Sequence, residues 1–460
     1  METEGRVMLE KLKTFVRGVI RKMFPAKSIE QVLDVKPCIS SVMQERIEFW
    51  HNMYIGMAPW CKNPITSLRK EQGICMEFAN VCLNEMESQV SIERLDDIYK
   101  KAIQDLNENL QSGLALGSFI IKPLGGDKVE YLTADKFIPL SYDERGRLTD
   151  VVFVQDKKEG EDYYRRLERH TLIDSMLTIS NRAFVSKSQD DIGREISLES
   201  VEEWKNFPKS ISYQGIERPD FGYYRNPIKN EIDGSPCGVS IYEAGIDRLQ
   251  EVDIQNARLK WEFKSGERAI HVAPEAVKKT TIGPNGETSF TTADLDDRLY
   301  RTLDLQDGEY KDLYREWSPE FRDVNIINGL NYHLRQLEFS VCLSYGDLSD
   351  VADVDKTATE AKIAKKRKFN MVAAIQSNLK DCLEDLVYAL AFYNAMLRSG
   401  YEFSCTFKDS ILEDEATERE NDRADVALGA MQLWEYRMKH YAEDEETAKK
   451  MVAQTADVIE

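Results

Sequence analysis

At 460 residues, 42% of them hydrophobic and 31% charged, the chain can build about two to four domains and reads as globular rather than disordered. Its formal net charge of −20 argues against an ordinary nucleic-acid binder, whose affinity comes from Lys and Arg displacing counterions from phosphate; it remains compatible with a wall past which DNA slides. No apolar run reaches the roughly eighteen residues of a membrane span, the opening residues lack the pattern of a signal peptide, and eight scattered cysteines form no Cys-x-x-Cys pair, so reduced thiols in a cytoplasmic protein are expected.

In chain order, residues 6–24 pattern as a basic amphipathic helix, with Leu9, Leu12, Phe15, Val16 and Val19 apolar and Lys11, Lys13, Arg17 and Arg21 basic. Such a helix can lie on a membrane surface or pack on a neighbouring domain, and the second reading is preferred. Residues 40–110 read as helical. Strand signals follow over 113–155, with Ser118 to Ile121 and Val151 to Val154 flanked by the turn pairs Gly125-Gly126 and Arg145-Gly146, and they continue to about residue 205. Residues 207–238 are rich in Pro and Gly and read as a long ordered connection.

Long helices dominate the remainder. The first is expected over Val239 to Phe263, with Leu249, Val252, Leu259 and Phe263 on its apolar stripe. The second is expected over Pro319 to Leu343, where Ile327, Leu330, Leu334, Leu337 and Val341 step by three and four. A β-rich insert, 266–317, lies between them. The third is expected to open on Thr357-Ala358-Thr359-Glu360, a capping box in which the Thr357 hydroxyl and the Glu360 carboxylate satisfy each other's backbone N–H. Its stripe, from Met371 through Ile375, Leu379, Cys382, Leu386 and Leu390 to Leu397, predicts about forty residues, or about 60 Å. Arg398-Ser399-Gly400 supplies a basic last turn and a glycine stop. From Asp409 on, the tail holds fifteen acidic and six basic residues and is compatible with helix.

Two charged segments invite functional readings. The loop between the second and third helices carries Asp347, Asp350, Asp353 and Asp355. Paired carboxylates can hold Mg²⁺ for phosphoryl transfer, but the spacing lacks the central glycine and closing glutamate of a calcium loop, so a solvated acidic loop is preferred. The run Lys365-Lys366-Arg367-Lys368 can contact phosphate, or can form a face paired with acidic neighbours or another subunit, which is preferred. No phosphate loop, dinucleotide fingerprint, His-Glu-x-x-His helix or nucleophile elbow occurs, so neither catalysis nor a cofactor or metal is expected.

Three stretches, in order, resemble the portal proteins of tailed phages infecting Gram-positive bacteria. They are Gly117-Ser118-Phe119-Ile120-Ile121-Lys122-Pro123 with Ala134-Asp135-Lys136-Phe137-Ile138-Pro139; the segment 221–243 leading into the first long helix; and Leu343-Ser344-Tyr345-Gly346 followed by the Thr357 box. The resemblance implies an α+β portal fold: an α/β wing (1–238), two stem helices (239–265 and 318–344) around a small β-containing clip (266–317), a tunnel loop (345–356), a long spine helix (357–397) and a helical crown (398–460). It further implies a ring of about twelve copies at the capsid vertex of the virion, passing double-stranded DNA and docking terminase, major capsid and scaffold proteins and a head-completion adaptor, with no enzyme activity and no membrane. On that basis Asp347, Leu348, Ser349, Asp350, Val351, Ala352, Asp353, Val354, Asp355 and Lys356 are expected to face the channel. Leu348, Val351 and Val354 would meet DNA by shape, and the aspartates would keep that contact weak. The alternatives are another minor head or connector protein, a metal-dependent nuclease or phosphotransferase using the aspartates, and a peripheral membrane protein anchored by residues 6–24.

Overall fold

The computed structural model describes residues 29, 32–189, 191–272, 278–282, 288–292, 299–302, 314–350, 358–407, 415–441 and 443–456. The amphipathic segment 6–24 lies outside them. Helices α1 (Ser41–Tyr54) and α2 (Lys70–Leu83), strand β1 (Met86–Val90), and helices α3 (Glu93–Ala102) and α4 (Leu106–Leu116) come first. Strands β2 (Ser118–Gly125), β3 (Lys128–Thr133), β4 (Phe137–Tyr142), β5 (Leu148–Glu159), β6 (Asp162–Ile173), β7 (Met176–Ser186), β8 (Arg194–Ile196), β9 (Ser210–Gln214) and β10 (Gly222–Arg225) follow. Helix α5 (Ile246–Ser265) leads into the short strands β11 (Ala269–Val272), β12 (Lys278–Ile282), β13 (Thr288–Thr292), β14 (Tyr300–Thr302) and β15 (Tyr314–Trp317), and α6 (Asp323–Ser340) returns from them. The long α7 (Ala358–Tyr393), strand β16 (Phe403–Phe407) and helices α8 (Glu415–Leu428), α9 (Leu433–Tyr441) and α10 (Glu445–Ala456) complete an α+β chain. No helix among the described residues is long and apolar enough to cross a membrane.

The main core forms where helices enclose β2. That strand is central in the antiparallel order β10-β2-β3 and is buried along Ser118 to Pro123. Its near-continuous apolar run reflects a sheet covered on both faces. On α7, Val372, Ile375, Leu379, Cys382, Leu386 and Leu390 keep the spacing of a helical stripe and are fully buried, together with Trp50 of α1, Phe78 of α2 and Tyr99 of α3. Each large side chain so buried contributes about 1.5–3 kcal/mol. α1 starts where the Ser40 hydroxyl accepts from the Met43 N–H at 3.1 Å, an N-cap that frees its apolar face to pack. A second sheet, in the order β4-β5-β6-β7-β8 with β9 also on β7, carries the smaller cores around Phe184 and Trp204.

Several expected boundaries move. The first long helix starts at Ile246 rather than Val239, because residues 239–242 are already engaged elsewhere. The Val239 carbonyl accepts from Asn226 Nδ2 (2.8 Å), the Ile241 N–H donates to the Leu114 carbonyl (2.9 Å), and the Tyr242 hydroxyl donates to the Trp50 carbonyl (2.8 Å). The second starts at Asp323, where the Glu262 carboxylate receives the Arg322 backbone N–H (2.9 Å) and guanidinium (2.8 Å). It ends at Ser340, ahead of Cys342 at φ 62°. The third ends at Tyr393, short of Leu397, with Ala395 at φ 57° and a separate 3₁₀ turn at Leu397–Ser399. The stretch expected to be helical over 40–110 is broken by β1, which pairs antiparallel with β16 from far along the chain. Residues 403–407 therefore belong with the main body, and the terminal helices start only at Glu415. The connection 207–238 contains β9 and β10, and β10 is an edge of the core sheet.

One close backbone approach ties these parts together. Gly117, at φ +92°, closes α4 and offers its carbonyl to the Asn226 N–H at 2.8 Å, while a side chain at Gly238 would strike that same carbonyl. Gly238→Ala is expected to cost about 1–3 kcal/mol through overpacking. A denaturation midpoint equal to that of the unsubstituted chain would disprove this.

Candidate functional site

The loop after α6 is held by a side chain that the periodicity pattern did not single out. Glu338, in the last turn of α6, is fully buried. Its Oε1 accepts from the backbone N–H groups of Gly346 (3.1 Å), Leu348 (2.7 Å) and Ser349 (2.8 Å), and its Oε2 accepts from the Ser349 hydroxyl (3.0 Å). A carboxylate with four donors is well compensated for leaving water. The sequence did hold one signal: Glu338 lies four residues after Leu334 and three before Val341, so a charge occupies a position on the buried stripe.

Other elements fix the same turn. Asp347 accepts from the Ser344 N–H at 2.9 Å and pairs with Lys368 of α7 at 3.0 Å. Lys368 also meets Glu77 of α2 at 2.6 Å. Burial pushes the Lys368 ammonium pKa down, but the two carboxylates outweigh it and hold it above the ordinary lysine value. Asn331 of α6 donates to Asp350 Oδ2 at 3.0 Å. The Leu348 carbonyl accepts from Lys70 of α2 at 3.5 Å.

This geometry corrects part of the expectation for the loop. Leu348 is half-buried and packs on the main core beside Gly73, so part of its side chain is covered. Ser349 is buried. Glu338 draws the backbone inward here; among the described residues of the segment Asp347 and Asp350 are exposed, the Asp347 carboxylate turned toward Lys368. Val351, Ala352, Asp353, Val354, Asp355, Lys356 and the capping Thr357 lie outside the described residues, as does the Glu360 side chain. The basic run is split by helix geometry. Lys365 and Lys366 are exposed, Arg367 is half-buried against the rings of Phe339 and Tyr345, and Lys368 is buried in the acidic pairing just described.

A second constellation is assembled from residues that look unrelated in sequence. His170 of β6 is 2% exposed. Its Nδ1 lies 2.8 Å from Asp220 and its Nε2 lies 2.8 Å from Glu168. Tyr393, at the end of α7, donates to Asp220 at 2.6 Å; Lys122 of β2 and Arg166 of β6 reach Glu168 at 3.1 and 2.9 Å. Burial drives the imidazole pKa down, but the Asp220 and Glu168 carboxylates overcome it and carry it up to about 9. Phe153 and Phe221 lie against the ring, with centroids 5.0 and 6.4 Å away. With both ring nitrogens engaged and the imidazole enclosed, the group acts as an internal clasp joining β2, β6, the 215–221 connection and α7.

Five of the eight cysteines, Cys75, Cys82, Cys237, Cys382 and Cys405, are buried. Among the described residues no group of three or more His, Cys, Asp and Glu side chains is placed to hold a metal ion. Fold and site together define an α+β chain with an antiparallel helical pair, an inserted set of short strands and a clamped acidic loop. No protein-family model and no curated protein matches the chain.

Proposed function

We propose that this chain is a structural subunit of a ring that passes double-stranded DNA: the portal at the capsid vertex of a tailed phage. The observation that carries the reading is the course of the chain from Ile246 to Tyr393. α5 leaves the body, short strands intervene, and α6 returns beside α5 with Gly329 against Gln255 and Gly266 against Phe321. A clamped acidic turn and the 36-residue α7 follow. This order suits a stem of two helices, a clip at its tip, a tunnel loop and a spine.

The charge of −20 per chain supports the same reading, since an acidic wall keeps phosphate contacts weak while a separate motor drives the DNA. Terminase, scaffold, major capsid and head-completion proteins would dock on the assembled ring, and the subunit itself would act on no bond. Electron microscopy of the purified chain, with its native mass, tests the proposal. Closed rings of about a dozen copies around a central hole are expected. A chain that stays monomeric or dimeric at tens of micromolar, with or without its packaging partners, would overturn it.

A further inference from the structure

Arg367 of α7 occupies a slot between two aromatic rings, its Cζ 4.4 Å from the centroid of Phe339 and 5.6 Å from that of Tyr345. Its Nε and Nη2 are buried and have no hydrogen-bond partner among the described residues. Buried donors left unmet are costly, and a guanidinium presents its donors as a planar fork that fits a carboxylate. The slot therefore calls for an acceptor that the described residues do not provide.

The slot stands at one end of an uncovered row. On α6, Val324, Tyr332 and Phe339 are spaced by eight and seven residues, share one side of the helix, and are 64%, 57% and 55% exposed. On α5, Asp247, Glu251, Ile254 and Trp261 step by four, three and seven, and Trp261 is 62% exposed. The two helices are antiparallel neighbours with a fixed register: Gly245 lies against Leu337 and Val341, Gly329 against Gln255, and Gly266 against Phe321. Asp247 therefore stands near the height of Phe339 and the slot, Glu251 and Ile254 near that of Tyr332, and Trp261 near that of Val324.

A rotation about an axis along the helical pair preserves these heights and sets the α6 row of one copy against the α5 row of the next. Acid then meets the unmet guanidinium, and apolar side chains meet apolar side chains. We infer that the Arg367 slot receives the carboxylate of Asp247 of a second copy of this chain, at a head-to-tail interface between the two rows. An arginine with aromatic neighbours is the composition of an interface anchor. A DNA phosphate fits less well, because the row beside the slot is apolar and the chain carries net negative charge. The inference rests on the self-assembly contained in the proposed function.

The test uses the full chain and three variants: Arg367→Met, which keeps the stem and removes the donors; Tyr332→Glu, away from the slot on the same row; and Asp247→Asn. Sedimentation velocity and native mass are read across a dilution series, with melting of the dilute chain as the control. Arg367→Met is expected to weaken association about 30-fold or more while leaving the dilute chain as heat-stable as before, since Nε and Nη2 make no hydrogen bond to the described residues and the methionine stem keeps the contact with the rings. The other two variants should also weaken association. Assembly of Arg367→Met or of Tyr332→Glu indistinguishable from the unsubstituted chain would overturn the inference and leave the ring reading standing. An unsubstituted chain that does not associate would overturn both. Normal assembly of Arg367→Met with lost affinity for a short DNA duplex would reassign the slot to phosphate.

Discussion

Replacing His170 with alanine is expected to destabilise the chain by about 3–5 kcal/mol, the cost of breaking a buried ion cluster by removing one partner. The loss does not measure the strength of two hydrogen bonds. It arises because Asp220, 1% exposed, and the largely enclosed Glu168 would remain in the interior as carboxylates facing an emptied site. Tyr393 and Lys122 would each keep only part of their anchorage, so the end of α7 and β2 should loosen together. Equilibrium denaturation at pH 6 provides the measure, and a loss below about 1 kcal/mol, the value of an exposed pair, would contradict a buried clasp.

The same clasp sets a pH dependence whose sign follows from linkage. The folded imidazole titrates near 9, against 6.5 for the free side chain, so its contribution is complete below 6.5 and disappears as pH rises through about 9. Burial raises the pKa of both partner carboxylates, but the opposing charges prevail: His170, Lys122 and Arg166 depress Glu168, while His170 and the Tyr393 hydroxyl depress Asp220. Their contribution is complete above their free values of 4.5 and 3.8 and is lost as pH falls below these. The clasp should therefore contribute most between about pH 4.5 and 6.5. The stability difference between the unsubstituted chain and His170→Ala should shrink on both sides of that window. A difference that stays flat from pH 6 to 9.5 would show that the imidazole is not held protonated.

Glu338→Ala is expected to have the next largest effect. Three backbone N–H groups and the Ser349 hydroxyl would lose their acceptor together. With charged hydrogen bonds contributing about 1.5–3 kcal/mol each and not adding fully, a global loss of about 3–4 kcal/mol is expected. Glu338→Gln retains an oxygen for the N–H groups and should cost less, roughly 1–2 kcal/mol. Hydrogen exchange separates the local effect from the global one. The amides of Gly346, Leu348 and Ser349 should exchange much faster in the alanine variant, while those of β2, deep in the main core, should change only as far as global stability does. Unaltered protection at the three loop amides would mean that Lys368 and Asn331 hold the turn without Glu338.

Regular elements with long apolar stripes were legible in the sequence. The steps of three and four through Ile327, Leu330, Leu334, Leu337 and Val341 marked α6, and the run from Met371 to Leu390 marked α7, because a helix that must bury one face repeats its apolar side chains every turn. The β-rich character of the insert between α5 and α6 was legible as well, as were the turn pairs Gly125-Gly126 and Arg145-Gly146, which fall at strand ends.

What tertiary structure alone decided was where each element stops and which distant groups meet. Val239, Ile241 and Tyr242 have apolar side chains that a helix could bury, yet backbone groups of this stretch are taken by Leu114 and Asn226, brought close by the fold. β1 found β16 more than three hundred residues away, a pairing with no local signature because strand partners are chosen by the packed core around them. His170, Asp220, Glu168 and Tyr393 carry no motif spacing and are joined only by the stacking of three elements. The acidity of the loop after α6 was plain from its aspartates, but its inward course was not. Periodicity reports which face of a helix is buried. Whether a glutamate on that face finds donors depends on where the chain turns next, and Glu338 finds them in Gly346, Leu348 and Ser349.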